Sequence, residues 1–200
     1  MAITNGYATL DEVKQGMGIP LSDTVDDSMI EIAIEAASRA IDSYTSRNFY
    51  SSGTATRYYA ATSNYVAEVD DIAEFVWLKT IDQDDAFTIE WTSSDYQLEP
   101  LNGIVDGMPT PYTRIRAIGD YLFDPLMGEA TVEVKAVFGY ASVPIEVKQA
   151  CLIQSSRLFK RLDSPLGVAG FGDIGVIRVS SRLDPDVAQL IDGYRKLRVG

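Results

Sequence analysis

Two kinds of periodicity divide this chain. Ile30, Ala33, Ile34, Ala37, Ile41 and Tyr44 recur at the spacing of one helical face, which predicts a long helix running to about Arg47. Thr24-Val25-Asp26-Asp27 has the spacing of a capping box and sets the expected start of that helix. A shorter helix comes first. Thr9-Leu10-Asp11-Glu12 fits the capping box, Leu10, Val13 and Met17 share a face, and Gly16, Gly18 and Pro20 supply stop signals. In the long helix, Ala33, Ala36, Ala37 and Ala40 are small enough for another helix to approach closely.

From Ser51 to Tyr140 the period changes from helical to alternating. Phe87, Ile89 and Trp91 alternate with Thr88, Glu90 and Thr92, and Val132, Val134, Ala136 and Phe138 alternate with Thr131, Glu133 and Lys135. Both runs predict half-buried strands. Further strands are expected at Thr54 to Ala60, Tyr65 to Val69, Glu74 to Thr80, Tyr96 to Leu98 and Tyr112 to Ile118, separated by turns such as Asp82-Gln83-Asp84-Asp85 and Asn102-Gly103.

Helical spacing returns after Pro144, which suits the first position of a third helix with Val147, Ala150, Cys151, Leu158 and Leu162 as its apolar stripe. Ser164-Pro165 ends it. Asp184-Pro185 is an N-cap and first-turn pair opening a last helix, with Val187, Leu190, Ile191 and Tyr194 on one face. The expected fold is therefore α+β: a small bundle of about four helices with an inserted antiparallel β subdomain. Residues 1–50 and 142–200 supply the helices, and residues 51–141 the insert.

Between the last two helices lies LDSPLGVAGFGDIGVIRVSSRLDP, glycine-rich yet apolar. Such a segment is poorly placed to bury Leu166, Val168, Phe171, Ile174, Val176 and Ile177 in a small domain of its own. Residues 163–184 thus read as an interaction arm that finds its partner on another chain. Gly170, Gly172 and Gly175 have the G-x-G-x-x-G spacing of a dinucleotide-binding turn, but that mechanism needs a strand before the glycines and a helix directly after them. Here a helix precedes and Val176-Ile177-Arg178-Val179, a strand-like run, follows.

The net charge of −12 is unevenly spread: residues 1–141 carry 8 Lys+Arg against 23 Asp+Glu, net −15, and residues 142–200 carry 9 against 6, net +3. An acidic body argues against binding nucleic acid through phosphate neutralisation. The basic C-terminal part instead suits an acidic protein surface, such as the body of a neighbouring copy. The chain contains no histidine, which removes Ser-His-Asp triads, most zinc sites and the commonest general base near neutral pH. Cys151, the single cysteine, sits in the apolar run Ala150-Cys151-Leu152-Ile153 and reads as a small buried hydrophobe. No apolar run is long enough to span a membrane and the N-terminus lacks a signal-peptide pattern, so the protein is expected to stay in the compartment where it is made.

Two further groups invite a chemical reading. Asp82, Asp84 and Asp85, or Asp70, Asp71 and Glu74, contain enough carboxylates for magnesium or calcium, but lack the spacing of a calcium loop and read as solvated turns. Tyr58, Tyr59, Tyr65, Trp77, Trp91, Tyr96 and Tyr112 lie among carboxylates that repel phosphate, so they read as strand and core residues rather than a base-stacking platform. No catalytic residue, cofactor site or metal site is expected.

ATLDEVKQGMGIP, DDSMIEIAIEAASRAIDSYTSRNFY, FGYASVPIEVKQACLIQSSRLFKR and SPLGVAGFGDIGVIRV followed by LDPDVAQLIDGYRK occur in this order over almost the whole chain. Together they resemble the head-tail connector (adaptor) proteins of long-tailed bacteriophages. The resemblance implies a non-enzymatic virion protein at the head-tail interface. It implies a ring of twelve copies that docks beneath the portal protein, offers a surface to the next neck or tail-completion protein, and lets DNA through its lumen without sequence-specific binding. It also implies that the C-terminal region, from about Arg157 onward, attaches to the portal. Chemistry within that region selects Arg157, Lys160, Arg161, Phe171, Ile174, Val176, Ile177, Arg178, Arg182, Tyr194, Arg195 and Lys196 as expected partner-binding residues, apolar side chains for burial and cations for register. The alternatives are the next neck ring or a tail-completion protein and, from another class, a carboxylate metal-dependent enzyme.

Overall fold

The structure, a computed structural model, describes residues 3–105, 107–126, 128–162, 168–169, 177–178 and 183–196, with backbone alone at 162, 168–169 and 177–178. The fold is α+β, with four helices and a six-stranded antiparallel sheet. The chain divides into two compact units, one of residues 1–49 with 143–200 and one of residues 50–142.

The first unit is helical. α1 (Leu10–Met17) starts at the expected capping box: Thr9 accepts from the Glu12 N–H, and the Glu12 carboxylate accepts from the Thr9 N–H. Gly18 ends it in the left-handed conformation. α2 (Asp27–Thr45) begins later than the sequence suggests. Its N-cap is Asp26, with no side-chain cap, because Thr24 to Asp27 form a separate turn leading into the helix. α2 packs against α3 (Ile145–Leu162) through Ile30, Ala33, Ile34, Ala37 and Ile41 on one side and Val147, Ala150 and Cys151 on the other. Ala36, by contrast, is exposed. At the contact the Ser38 hydroxyl lies 3.4 Å from the Cys151 sulfur, and burial pushes the thiol pKa up, as suits a packed rather than reactive cysteine.

α4 (Pro185–Ile191) opens as the sequence predicts. Asp184 caps the Asp186 N–H at 2.7 Å, Pro185 occupies the first turn, and Val187 and Ile191 are buried. A 3₁₀ turn (Asp192–Tyr194) continues it. Phe49 is wholly buried, with Tyr7 edge-on at 5.7 Å and Tyr194 edge-on at 5.5 Å. The Tyr7 hydroxyl accepts from the Phe49 N–H and donates to Asp42, and burial pushes its pKa well above the usual phenol range.

The second unit holds the sheet. Its strands are β1 (Thr54–Tyr59), β2 (Val66–Ile81), β3 (Phe87–Glu90), β4 (Tyr96–Glu99), β7 (Tyr112–Ala117) and β8 (Val132–Phe138), in the order β1-β8-β2-β7-β4 with β3 also on β2. A small hairpin, β5 (Ile104–Val105) with β6 (Met108–Pro109), lies between β4 and β7 in sequence. The alternation in β8 is complete: Val132, Val134, Ala136 and Phe138 are buried and the residues between them half-exposed. Trp91 stacks on Phe123 at 4.5 Å in the same core and donates its Nε1–H to Thr80 at 2.9 Å.

One expectation fails here. The two separate strands predicted at Tyr65 to Val69 and Glu74 to Thr80 are one bent strand, β2, that runs through Asp70 and Asp71. Register shifts after Glu68, Ile72 and Phe75 act as bulges, letting the strand turn without ending. Asp70 is tied to Arg57 at 2.7 Å and to the Tyr59 hydroxyl at 3.1 Å, while the Asp71 carbonyl accepts from Gly139. A pair of carboxylates that resembles a turn is thereby held inside a sheet.

Candidate assembly surface

The expected partner-binding residues fall into three groups. Phe171, Ile174, Val176 and Arg182 lie outside the described residues, as do Gly170, Gly172 and Gly175. Ile177 and Arg178 form β10 (Ile177–Arg178), whose backbone pairs antiparallel with β9 (Val168–Ala169), Ile177 opposite Ala169 and Arg178 opposite Val168. Contrary to the sequence expectation a strand, β9, stands directly before these glycines, but β10 rather than a helix follows them, so the order lacks the helix N-terminus a pyrophosphate needs.

The third group is set within the helical unit. Arg157 is paired with the buried carboxylate of Asp184, and the Gln154 side chain accepts from the Asp184 N–H at 3.3 Å. Those contacts bring the end of α3 beside the start of α4. Tyr194 donates to Glu146 at 2.9 Å, and its carbonyl accepts from Arg47 at 2.7 Å. Arg195 lies over the Tyr44 ring at 5.2 Å, and the Lys196 N–H donates to the Thr45 carbonyl at 2.8 Å. Lys160 is exposed and Arg161 half-buried. Arg157 and Tyr194 thus have partners within the fold, though Arg157, like Lys160, is exposed at the α3 end.

The structure also presents a surface that the sequence reading did not single out. Leu21, Val25, Met29 and Ile32 are 48%, 85%, 41% and 49% exposed. Val25, Met29, Ile32 and Ala36 follow helical spacing on the side of α2 away from its buried face, so the helix and its leading turn are apolar on two sides. That second periodicity was legible in the sequence beneath the stronger one. The turn carrying Leu21 is fastened by Lys14, a buried cation whose ammonium donates to the carbonyls of Leu21 (3.3 Å) and Asp23 and to the Asp27 carboxylate (2.7 Å). Its charge is fully partnered in the fold.

The carboxylate clusters serve structure. Asp82 accepts from the N–H groups of Asp84 (2.8 Å) and Ala86 (3.1 Å) and from the Thr88 hydroxyl, and the Thr88 bond leads the causes holding its pKa below the usual range. Among the described residues no group of three His, Cys, Asp or Glu is placed to hold a metal ion. No helix of the described residues is long and apolar enough to cross a membrane.

Residues 7–91, which hold α1, α2 and the first three strands, match the family model described as phage gp6-like head-tail connector protein. That match spans less than half of the chain. Among solved structures it is similar to a chain from the neck of an empty GTA particle computed with C6 symmetry, at 19% identity and a TM-score of 0.59, covering 100% of this chain and 95% of that one. It is equally similar to a chain from the neck of a native GTA particle computed with C12 symmetry, at 19% identity and a TM-score of 0.59, covering 100% of this chain and 94% of that one. At that identity these likenesses show a shared fold. No curated protein sequence matches it.

Proposed function

We propose that this protein is a structural, non-enzymatic head-tail connector, a subunit of the ring at the head-tail interface of a virion, twelve copies of which dock under the portal and carry the DNA channel toward the tail; the match of residues 7–91 to the connector family model supports this. The observation that carries the reading is the crossover between α3 and α4. The two helices meet at Asp184, beside Gln154 and Arg157, yet the chain takes residues 163–184 to join them. Helix–helix connections in bundles commonly need only about 2–8 residues. The excess carries Leu166, Phe171, Ile174 and Val176 with Arg178 and Arg182, a composition suited to burial and register at a protein interface.

The charge distribution supports the same reading. Surplus carboxylates on the body repel phosphate, which suits a channel through which DNA slides without being held. The C12 symmetry of one neck particle with the same fold supports the copy number. Retention on immobilised portal rings is expected to separate this position from the next neck ring or a tail-completion role. The protein should be held by portal alone and not by tail-tube protein alone; the reverse pattern would move it down the neck.

A further inference from the structure

The outward side of α2 is an apolar surface on a fixed base. Lys14 anchors the turn that bears Leu21, and the buried face of α2 sets the helix against α3, so Val25, Met29 and Ile32 project from an ordered element. Its surroundings are strictly acidic in sequence. Between Gln15 and Ser38 stand Asp23, Asp26, Asp27, Glu31 and Glu35 with no lysine or arginine. An occupant should therefore be apolar and carry cations at its margin.

The 163–184 segment has that chemistry. Its apolar side chains are followed by Arg178 and Arg182. The receiving stripe faces away from α3, the helix from which the arm departs. A chain's own arm would have to wrap around α2 to reach it.

We propose that the stripe Leu21, Val25, Met29 and Ile32 receives the 166–182 arm of a second copy of this chain. The inference rests on the ring reading above and deepens it: arm and stripe are different patches, so the contact is heterologous, and repetition head to tail generates a closed ring when the rotation permits. Arg178 and Arg182 then meet the carboxylates of Asp23 and Asp26.

The test uses full-length protein. Met29→Cys chains are mixed with chains carrying Phe171→Cys, Ile174→Cys or Val176→Cys and treated with a short bismaleimide, wild type with its buried Cys151 serving as background. Cross-linked pairs are expected at least about tenfold above that background for one or more arm positions. Ile32→Lys, at an exposed position, is expected to leave the helical circular dichroism unchanged and weaken self-association about tenfold, the effect of losing one buried aliphatic contact. Cross-links confined to a chain carrying both cysteines would place the arm on its own α2 and overturn the inference. So would the absence of cross-links, or capture of the arm cysteines by portal alone. Electron microscopy of the same samples separates the two claims: rings without arm-to-α2 cross-links overturn this contact and leave the ring standing, whereas no rings on portals overturns the ring reading itself.

Discussion

Replacing residues 163–182 by a short glycine-serine linker is expected to abolish ring assembly while leaving the helical unit folded. The ends to be joined are held close by Arg157, Gln154 and Asp184, so a short linker spans them without moving either helix. α4 remains, with Val187 and Ile191 in the core. Removing residues 163–200 outright would be a different experiment, because it excises those two side chains together with Tyr194 and the Lys196 contact to Thr45. Burial of one large aliphatic or aromatic side chain contributes about 1.5–3 kcal/mol. Losing an arm with several such side chains should weaken each contact by at least about 3 kcal/mol, roughly a hundredfold. Sedimentation velocity should then show only the smallest species at concentrations where wild type assembles, with an unchanged helical spectrum. Normal rings from the linker variant would show that the arm is not an assembly element.

The second large effect is expected within the helical unit. Phe49→Ala should destabilise it by about 3–5 kcal/mol, the range for truncating a wholly buried phenylalanine. Phe49 is edge-on to Tyr7 from the N-terminal segment and to Tyr194 from the C-terminal one, and each such pair adds about 0.5–1.5 kcal/mol beyond area. Its loss leaves a cavity where three segments meet and frees the Tyr194 ring from the position that aims its hydroxyl at Glu146. Chemical denaturation should show a lower midpoint, and Phe49→Leu should recover most of the loss by refilling the volume. A change below about 1 kcal/mol would show that the site collapses around the smaller side chain.

Much of this architecture was readable from local rules. The Thr9 capping box, the Asp184-Pro185 start and the alternation of β8 each specify an element by a mechanism contained within a few residues. The failures come from elsewhere in the chain. Asp70 and Asp71 read as a turn because their neighbours Arg57, Tyr59 and Gly139 are distant in sequence, and those contacts keep β2 continuous. Thr24 has the spacing of a cap, but the turn it belongs to is held by Lys14, whose role is invisible to periodicity. For the assembly surface, the basic character of the C-terminal region was legible, whereas the internal pairing of Arg157 and Tyr194 was not, since it depends on Asp184 and Glu146 meeting them in the folded bundle. The outward stripe of α2 was written in the sequence at the same period as the core stripe, opposite in phase. A helix with two apolar faces buries one within its own unit and offers the other to a partner.

The central claim, a ring subunit whose surface is completed by another copy, is tested most directly by imaging the full-length protein bound to isolated portals. Averaged electron micrographs should show a closed cyclic ring on the portal, with density joining α2 of each subunit to the arm of its neighbour. Single subunits scattered on portals, or a ring in which every α2 stripe remains uncovered, would contradict it.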